Sequence, residues 1–306
     1  MKRVICVVGP TASGKTALAV GLAQQLNGEV VSADSMQLYE HMDIGTAKPA
    51  AEEMGGVPHH MLSVCPPTEA FSAGRYVAMA APIVDDILAR GKTAIIAGGT
   101  GLYIDSLISG REFAPTSDSR AELEQLSDDE LRRQLQQCDP DSAARLPVGD
   151  RRRVIRALEI FRETGETIGV HDLRTQSQPP RYDAAWIGLD FADRALLYAR
   201  IDLRVERMVA HGLLDEVRGL LDAGIPADAT ALQAIGYKEP LAALRGEMTM
   251  DEAVELIQRQ SRRYAKRQRT WFRRNEAVHW ILCDGMDDAQ ILAAALEVLR
   301  ETAAST

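Results

Sequence analysis

Residues 9–16 read GPTASGKT. The pattern Gly9-x-x-x-x-Gly14-Lys15-Thr16 is that of a phosphate-binding loop, with Pro10, Thr11, Ala12 and Ser13 as its variable positions. Such a loop demands a strand before it and a helix after it, because converging backbone N–H groups at a helix N-terminus make the anion site. Both are legible. Val4 to Val8 form a short apolar, β-branched run suited to a buried parallel strand, and Leu18, Leu22 and Leu26 then recur at helical spacing. Lys15 is placed to neutralise phosphate charge, and the Thr16 hydroxyl to sit on Mg²⁺. Most loops of this kind hold ATP or GTP; which phosphate this one holds depends on the rest of the chain.

Further strands are expected at 29–32, 93–97, near 185–191 and near 277–282, separated by long helical patterns. That alternation predicts an α/β fold, a P-loop parallel sheet flanked by helices. Ligands in such sheets bind beyond the carboxyl ends of the strands. Residues Gly9 to Thr16, Asp34-Ser35-Met36-Gln37 and Gly98-Gly99-Thr100-Gly101 are therefore expected at one edge. Between 115 and 180 the strand signals vanish, and the polar, proline-containing stretch TQSQPPRYD closes the region. It reads as a mostly helical insertion domain at 115–180, within a core of 1–114 and 181–306.

The net charge is −9, which speaks against a polyanionic partner, but the charge is uneven. From Arg259 to Arg274 the stretch RQSRRYAKRQRTWFRR holds eight Arg or Lys residues and no acid. A basic stripe on an acidic protein is a footprint for a polyanion, and the missing acids weaken the alternative of a salt-bridged face. Tyr264, Trp271 and Phe272 fall on one helical face and are read as core anchors rather than base-stacking platforms. A second cluster, Arg151, Arg152, Arg153 and Arg156, opens the helix DRRRVIRALEIFRETG, where positive charge opposes the helix dipole and implies another use. Cys6, Cys65, Cys138 and Cys283 have neither zinc nor disulfide spacing. His59 and His60 read as structural. No apolar run approaches a membrane span, and the short apolar run before the glycine loop is no secretion signal, so a cytoplasmic protein is expected.

A small-molecule kinase is the default for this loop, yet no later strand ends in a clear Mg²⁺-holding aspartate; Asp190 in WIGLDF is a weak candidate. In order along the chain stand GPTASGKT, ADSMQLY, DIGTAKP, VPHHML, FSAGRY, GGTGLYI, RRVIRALEI, AIGYKE and AKRQRTWFRR. Together they resemble the bacterial tRNA dimethylallyltransferases, from about residue 3 to 282. The resemblance implies a monomeric enzyme that uses Mg²⁺ and moves a dimethylallyl group from its diphosphate to N6 of adenosine 37, beside the tRNA anticodon.

By that resemblance the loop holds the prenyl diphosphate, and Asp34 is the general base for the adenine amino group. An amino nitrogen conjugated into its ring needs such an acceptor. Lys15 and Mg²⁺ on Thr16 stabilise the departing diphosphate, Thr100 lies beside the reacting groups, and Arg200 clamps the diphosphate. Asp34, Ser35, Met36 and Gln37 match a tRNA-contacting stretch. So do Arg152, Arg153, Val154, Ile155 and Arg156; Gln233, Ala234, Ile235, Gly236, Tyr237 and Lys238; and Lys266 with Arg267. Gly149 stands where Asn is expected and Lys238 where Arg is common, which removes a bidentate donor at the latter. Two other classes stay open on the residues alone: an ATP-using kinase, and a nucleic-acid-binding module with a vestigial loop.

Overall fold

The computed structural model describes residues 3–111, 113, 119–176 and 179–304. The chain separates into two compact units, residues 1–108 with 181–306, and residues 109–180. The expected boundary at 114/115 lies outside the described residues, as do residues 177 and 178 of the closing link.

In the first unit the strands are β1 (Arg3–Val8), β2 (Gly28–Ser32), β3 (His59–His60), β4 (Thr93–Ala97), β5 (Asp183–Asp190) and β6 (Val278–Leu282). They form one sheet in the order β3-β2-β4-β1-β5-β6. Every pairing is parallel, with Ile5 opposite Ile95 on one side and Ala185 on the other. The α/β fold expected from the sequence is the one observed.

The two-residue period of a strand splits the apolar runs between two layers. Val4, Cys6, Val8, Val31 and Ile96 pack on one face with α2 (Ala73–Ala89) and α3 (Gly101–Ser109). On the other, Ile5, Val7, Val30, Ile95 and Ile187 pack with α1 (Lys15–Gln25) and residues of two later helices, Leu197, Ile201, Ile291 and Ala295. Burial on both faces explains why these strands read as continuous hydrophobic runs.

The short β3 has no apolar run. It joins the edge of β2 through the backbone, and His60 Nε2 lies 2.8 Å from Glu29 Oε2. Glu29 is buried, and hydrogen bonds from Arg90, Lys92 and His60 hold its carboxyl well below the usual range, Arg90 foremost. The two histidines are thus structural, and they form a strand that the sequence reading did not include. The free cysteines carry no disulfide.

The second unit holds α4 (Ser119–Gln125), α5 (Asp128–Cys138), α6 (Pro140–Arg145), α7 (Arg151–Thr164) and α8 (Ile168–Gln176). Leu123, Leu131, Leu135, Val154, Ile155 and Leu158 form its core. Side-chain oxygens of Ser127, Asp139 and Asp150 cap the starts of α5, α6 and α7, and Gly165 closes α7 in the left-handed conformation. The arginine at the first position of α7 has a local use: Arg151 pairs with Asp128 and donates to the carbonyls of Glu124 and Leu126 near the end of α4, both at 2.7 Å. Arg156 pairs with the fully buried Glu159, which Arg120 also reaches.

After β5 the first unit continues with α9 (Arg194–Ala210), α10 (Leu213–Asp222), α11 (Lys238–Leu244), α12 (Met250–Phe272) and, after β6, α13 (Asp288–Ala304). A capping box joins Thr249 and Glu252 at the start of α12. Among the described residues, no helix is long and apolar enough to cross a membrane.

Candidate active site

The carboxyl ends of β1, β2 and β4 deliver the glycine loop, the Asp34 turn and the second glycine turn to one edge. Gly9 permits the first: its φ is 144°, and a Cβ there would strike the carbonyl oxygen of Leu189. A cavity of about 1040 Å³ opens at this edge. Thr11 to Thr16, Asp34, Gln37, Gly98 and Arg200 line it, so the predicted phosphate loop, base and arginine clamp share one space.

Lys15 Nζ donates to Pro10 O at 2.7 Å. Burial, then the charge of Arg204, lowers the Lys15 pKa to about 7, with Asp34 pulling the other way. Asp34 Oδ1 accepts the N–H of Met36 at 2.9 Å, which fixes the carboxylate in an Asx turn. Thr100 Oγ1 accepts the N–H of Ser35 at 3.0 Å, tying the second glycine turn to the Asp34 turn. Gln37 takes a hydrogen bond from Ser32 and donates to Ala47 O at 3.1 Å. Arg200 Nε donates to Ala12 O at 2.9 Å and stacks over Phe191.

Several groups here were missed by the sequence reading. Arg204 donates to Thr11 Oγ1 at 2.9 Å and to Thr46 O at 3.1 Å; burial lowers its pKa although Asp34 and Glu53 favour its charge. Its sequence signal was available, since it follows Arg200 by one helical turn. Gln268, buried on α12, joins the two glycine turns: Oε1 accepts Thr11 N–H at 2.8 Å and Nε2 donates to Gly99 O at 3.1 Å. Side chains at 99 and 101 would collide with Gln268 and Trp271, so the glycines admit α12.

Tyr264 is also misread in the sequence. It lines the cavity rather than the core, and burial followed by the Asp34 charge raises its pKa to about 12. Trp271 is partly exposed and donates to Asp105 at 2.8 Å. Of the aromatic triplet, only Phe272 joins the apolar core.

The basic stretch has acidic partners after all, brought from elsewhere in the fold. Arg262 pairs with Asp202, while Arg269 and Arg273 both pair with the buried Asp190. Asp190 also accepts the Phe191 N–H, so its carboxylate is engaged within the fold on both oxygens. Arg259, Arg263, Lys266 and Arg267 remain exposed on α12, with Arg267 over the Tyr264 ring.

In the other expected RNA-contacting segments, Val154 and Ile155 are buried, so only the neighbouring arginines present themselves to solvent. Arg153 is highly exposed and holds only a loose pair with Asp150. In QAIGYK, Gln233 and Lys238 are exposed, Ala234 and Ile235 are half-buried, and Gly236 and Tyr237 are buried.

Among the described residues no group of three or more His, Cys, Asp or Glu side chains is arranged around a metal site. Mg²⁺ bound through a diphosphate needs few protein ligands, because phosphate oxygens and water fill its shell. The Thr16 hydroxyl, at the wall of the cavity, fits that sparse requirement.

A family profile described as IPP transferase matches residues 37–275. The chain is 46% identical over 294 residues to the tRNA dimethylallyltransferase of Acetivibrio thermocellus, covering 94% of each. It is 48% identical over 290 residues to that of Anoxybacillus flavithermus, covering 94% of this chain and 92% of the relative. Among solved structures it is similar to the full-length tRNA isopentenylpyrophosphate transferase of Bacillus halodurans (TM-score 0.75, 41% identity, 99% and 98% covered). It is also similar to a eukaryotic dimethylallyltransferase acting on tRNA (TM-score 0.85, 28% identity, 98% and 80% covered).

Proposed function

The chain belongs to the IPP transferase family and transfers a dimethylallyl group to tRNA, and we propose that the acceptor is N6 of adenosine 37 in the anticodon stem-loop. The observation that carries this reading is the convergence of Lys15 and Arg200 with the Asp34 carboxylate on one cavity at the strand ends. Cations facing the Asp34 carboxylate suit a reaction in which the anionic diphosphate departs on one side and a proton leaves on the other.

In this reading the diphosphate of the donor lies in the loop from Gly9 to Thr16. Lys15 and Arg200 neutralise it, with Arg204 behind them holding Thr11. N6 attacks the first carbon of the prenyl group, that carbon's bond to the diphosphate oxygen breaks, and the N6 proton passes to Asp34. Thr100, through its hydrogen bond to the Ser35 amide, keeps the Asp34 turn in place. Thr16 would hold Mg²⁺, which when bound would supply positive charge to the departing diphosphate. The base must leave its stack to enter such a cavity.

The tRNA backbone is held by Lys266 and Arg267 on α12, by Arg152 and Arg153 in the second unit, and by Gln233 and Lys238. The enzyme works as a cytoplasmic monomer. Incubating tRNA with the protein, Mg²⁺ and dimethylallyl diphosphate, then digesting it for mass spectrometry, tests the assignment. One added dimethylallyl group on adenosine 37 is expected; modification at another nucleotide, or phosphate transfer from ATP instead, would sink it.

A further inference from the structure

Glu216 lies on α10, outside the ordered motifs of the sequence, yet its carboxylate gathers donors from two of them, DIGTAKP and AIGYKE. Oε2 accepts the N–H groups of Asp43 at 2.8 Å and Ile44 at 2.7 Å. Oε1 accepts Gly45 N–H at 3.0 Å and the Tyr237 hydroxyl at 2.6 Å. Successive backbone amides aimed at one anion form a nest, and bonds to a charged acceptor are the strong kind. Tyr237 is fully buried, and its ring lies so close to Gly45 that no side chain fits there.

The loop held in this way is a wall of the donor cavity, to which Asp43, Ile44 and Ala47 contribute. Its carbonyls then hold two side chains of the site. Thr46 O accepts from Arg204, whose other arm holds Thr11 of the phosphate loop. Ala47 O accepts from Gln37, in the same turn as Asp34.

We propose that Glu216 and Tyr237 are positioning residues that set the donor cavity by clamping loop 43–47. The inference rests on reading that cavity as the prenyl diphosphate site. It gives the tyrosine of AIGYK a task on the donor side, where the family resemblance places the whole segment on the RNA. A clamp acting through backbone amides leaves the exposed RNA-facing cations untouched, so its loss alters donor binding and spares tRNA binding.

The test compares Glu216→Gln, Tyr237→Phe, the double variant and Lys15→Ala. Equilibrium binding of dimethylallyl diphosphate, tRNA affinity and melting temperature are read for each. Glu216→Gln is expected to weaken donor binding about tenfold and Tyr237→Phe less, the scale of a missing charge-assisted hydrogen bond. The double variant should fall short of the product of the two effects, because both act on one carboxylate. tRNA affinity should stay unchanged throughout. Unaltered donor affinity in Glu216→Gln beside a weakened Lys15→Ala overturns the inference alone; unaltered affinity in both overturns the cavity reading with it. If Glu216→Gln fails to fold, Tyr237→Phe decides on the same readout. A loss confined to tRNA affinity also overturns the proposal.

Discussion

The side chain of Gln268 accepts the backbone N–H of Thr11 at 2.8 Å, joining residues 257 positions apart. The next residue back, Arg267, is exposed to solvent, so neighbouring positions of α12 serve the donor loop and the surface. Replacing Gln268 with Leu keeps the bulk but leaves Thr11 N–H and Gly99 O without this partner. Each orphaned buried group costs about 1–3 kcal/mol. Turnover should fall at least about tenfold with a lower Tm, while tRNA affinity holds. A variant with normal turnover would show that the bridge is dispensable.

Asp34→Asn should lower turnover at least about 10²-fold, the size of a general-base contribution. Donor affinity should change little, because the amide oxygen still accepts the Met36 N–H that fixes the turn. Steady-state kinetics at saturating substrates checks this; near-normal kcat removes Asp34 from the role.

Lys15 makes donor binding depend on pH. Its pKa of about 7 in the buried loop means that much of it is neutral just above neutrality. A bound diphosphate favours the ammonium and raises that pKa, so binding takes up a proton. Affinity is therefore insensitive to this group below pH 7 and falls above it, by up to about tenfold per unit. Calorimetric titration of dimethylallyl diphosphate at pH 8 in buffers of different ionisation heat should reveal the uptake, and Lys15→Met should abolish it. Identical heats for the wild type would contradict the prediction.

Arg153 and Arg267 sit in different units and are both exposed. Replacing each with Gln should weaken tRNA binding in additive steps, and each should lower the salt slope by about one for every phosphate no longer neutralised. Prenyl donor affinity should not move. If instead a variant melts earlier and keeps the original slope, that arginine serves the fold and not the RNA.

Asp190→Ala should destabilise the protein by about 3–5 kcal/mol, since it strands Arg269 in a buried setting. The Mg²⁺ dependence of turnover should be unchanged. A shifted Mg²⁺ requirement in folded protein would return Asp190 to the metal.

Sheet strands were legible where burial on both faces forces an unbroken apolar run, as at Val4 to Val8 and Thr93 to Ala97. The strand at His59 was not, because backbone pairing and the Glu29 charge cluster hold it in place of apolar side chains. Within the site, Lys15 could be named from its own loop, while Asp34 was placed at a strand end by the sequence pattern and given its role by the family resemblance. Glu216 and Gln268 matter through partners far along the chain, and periodicity carries no trace of such pairings, whereas Arg204 lay within reach of it, one turn after Arg200. The basic stretch shows the same limit: its acids, Asp190 and Asp202, lie in other segments.

The position of β1 in the sheet bears on how the protein is made. β1 is made before the other strands of its sheet yet is an inner one, and Ile5 waits for Ile95 on one side and Ala185 on the other. Pairings this distant in sequence make folding slow and expose open strand edges meanwhile. The phosphate loop waits longer still, because the Thr11 backbone N–H meets the Gln268 side chain only when that residue has been translated. A nascent chain that stops short of α12 therefore carries the whole glycine motif without a finished anion site, and competence to bind the donor waits for that helix.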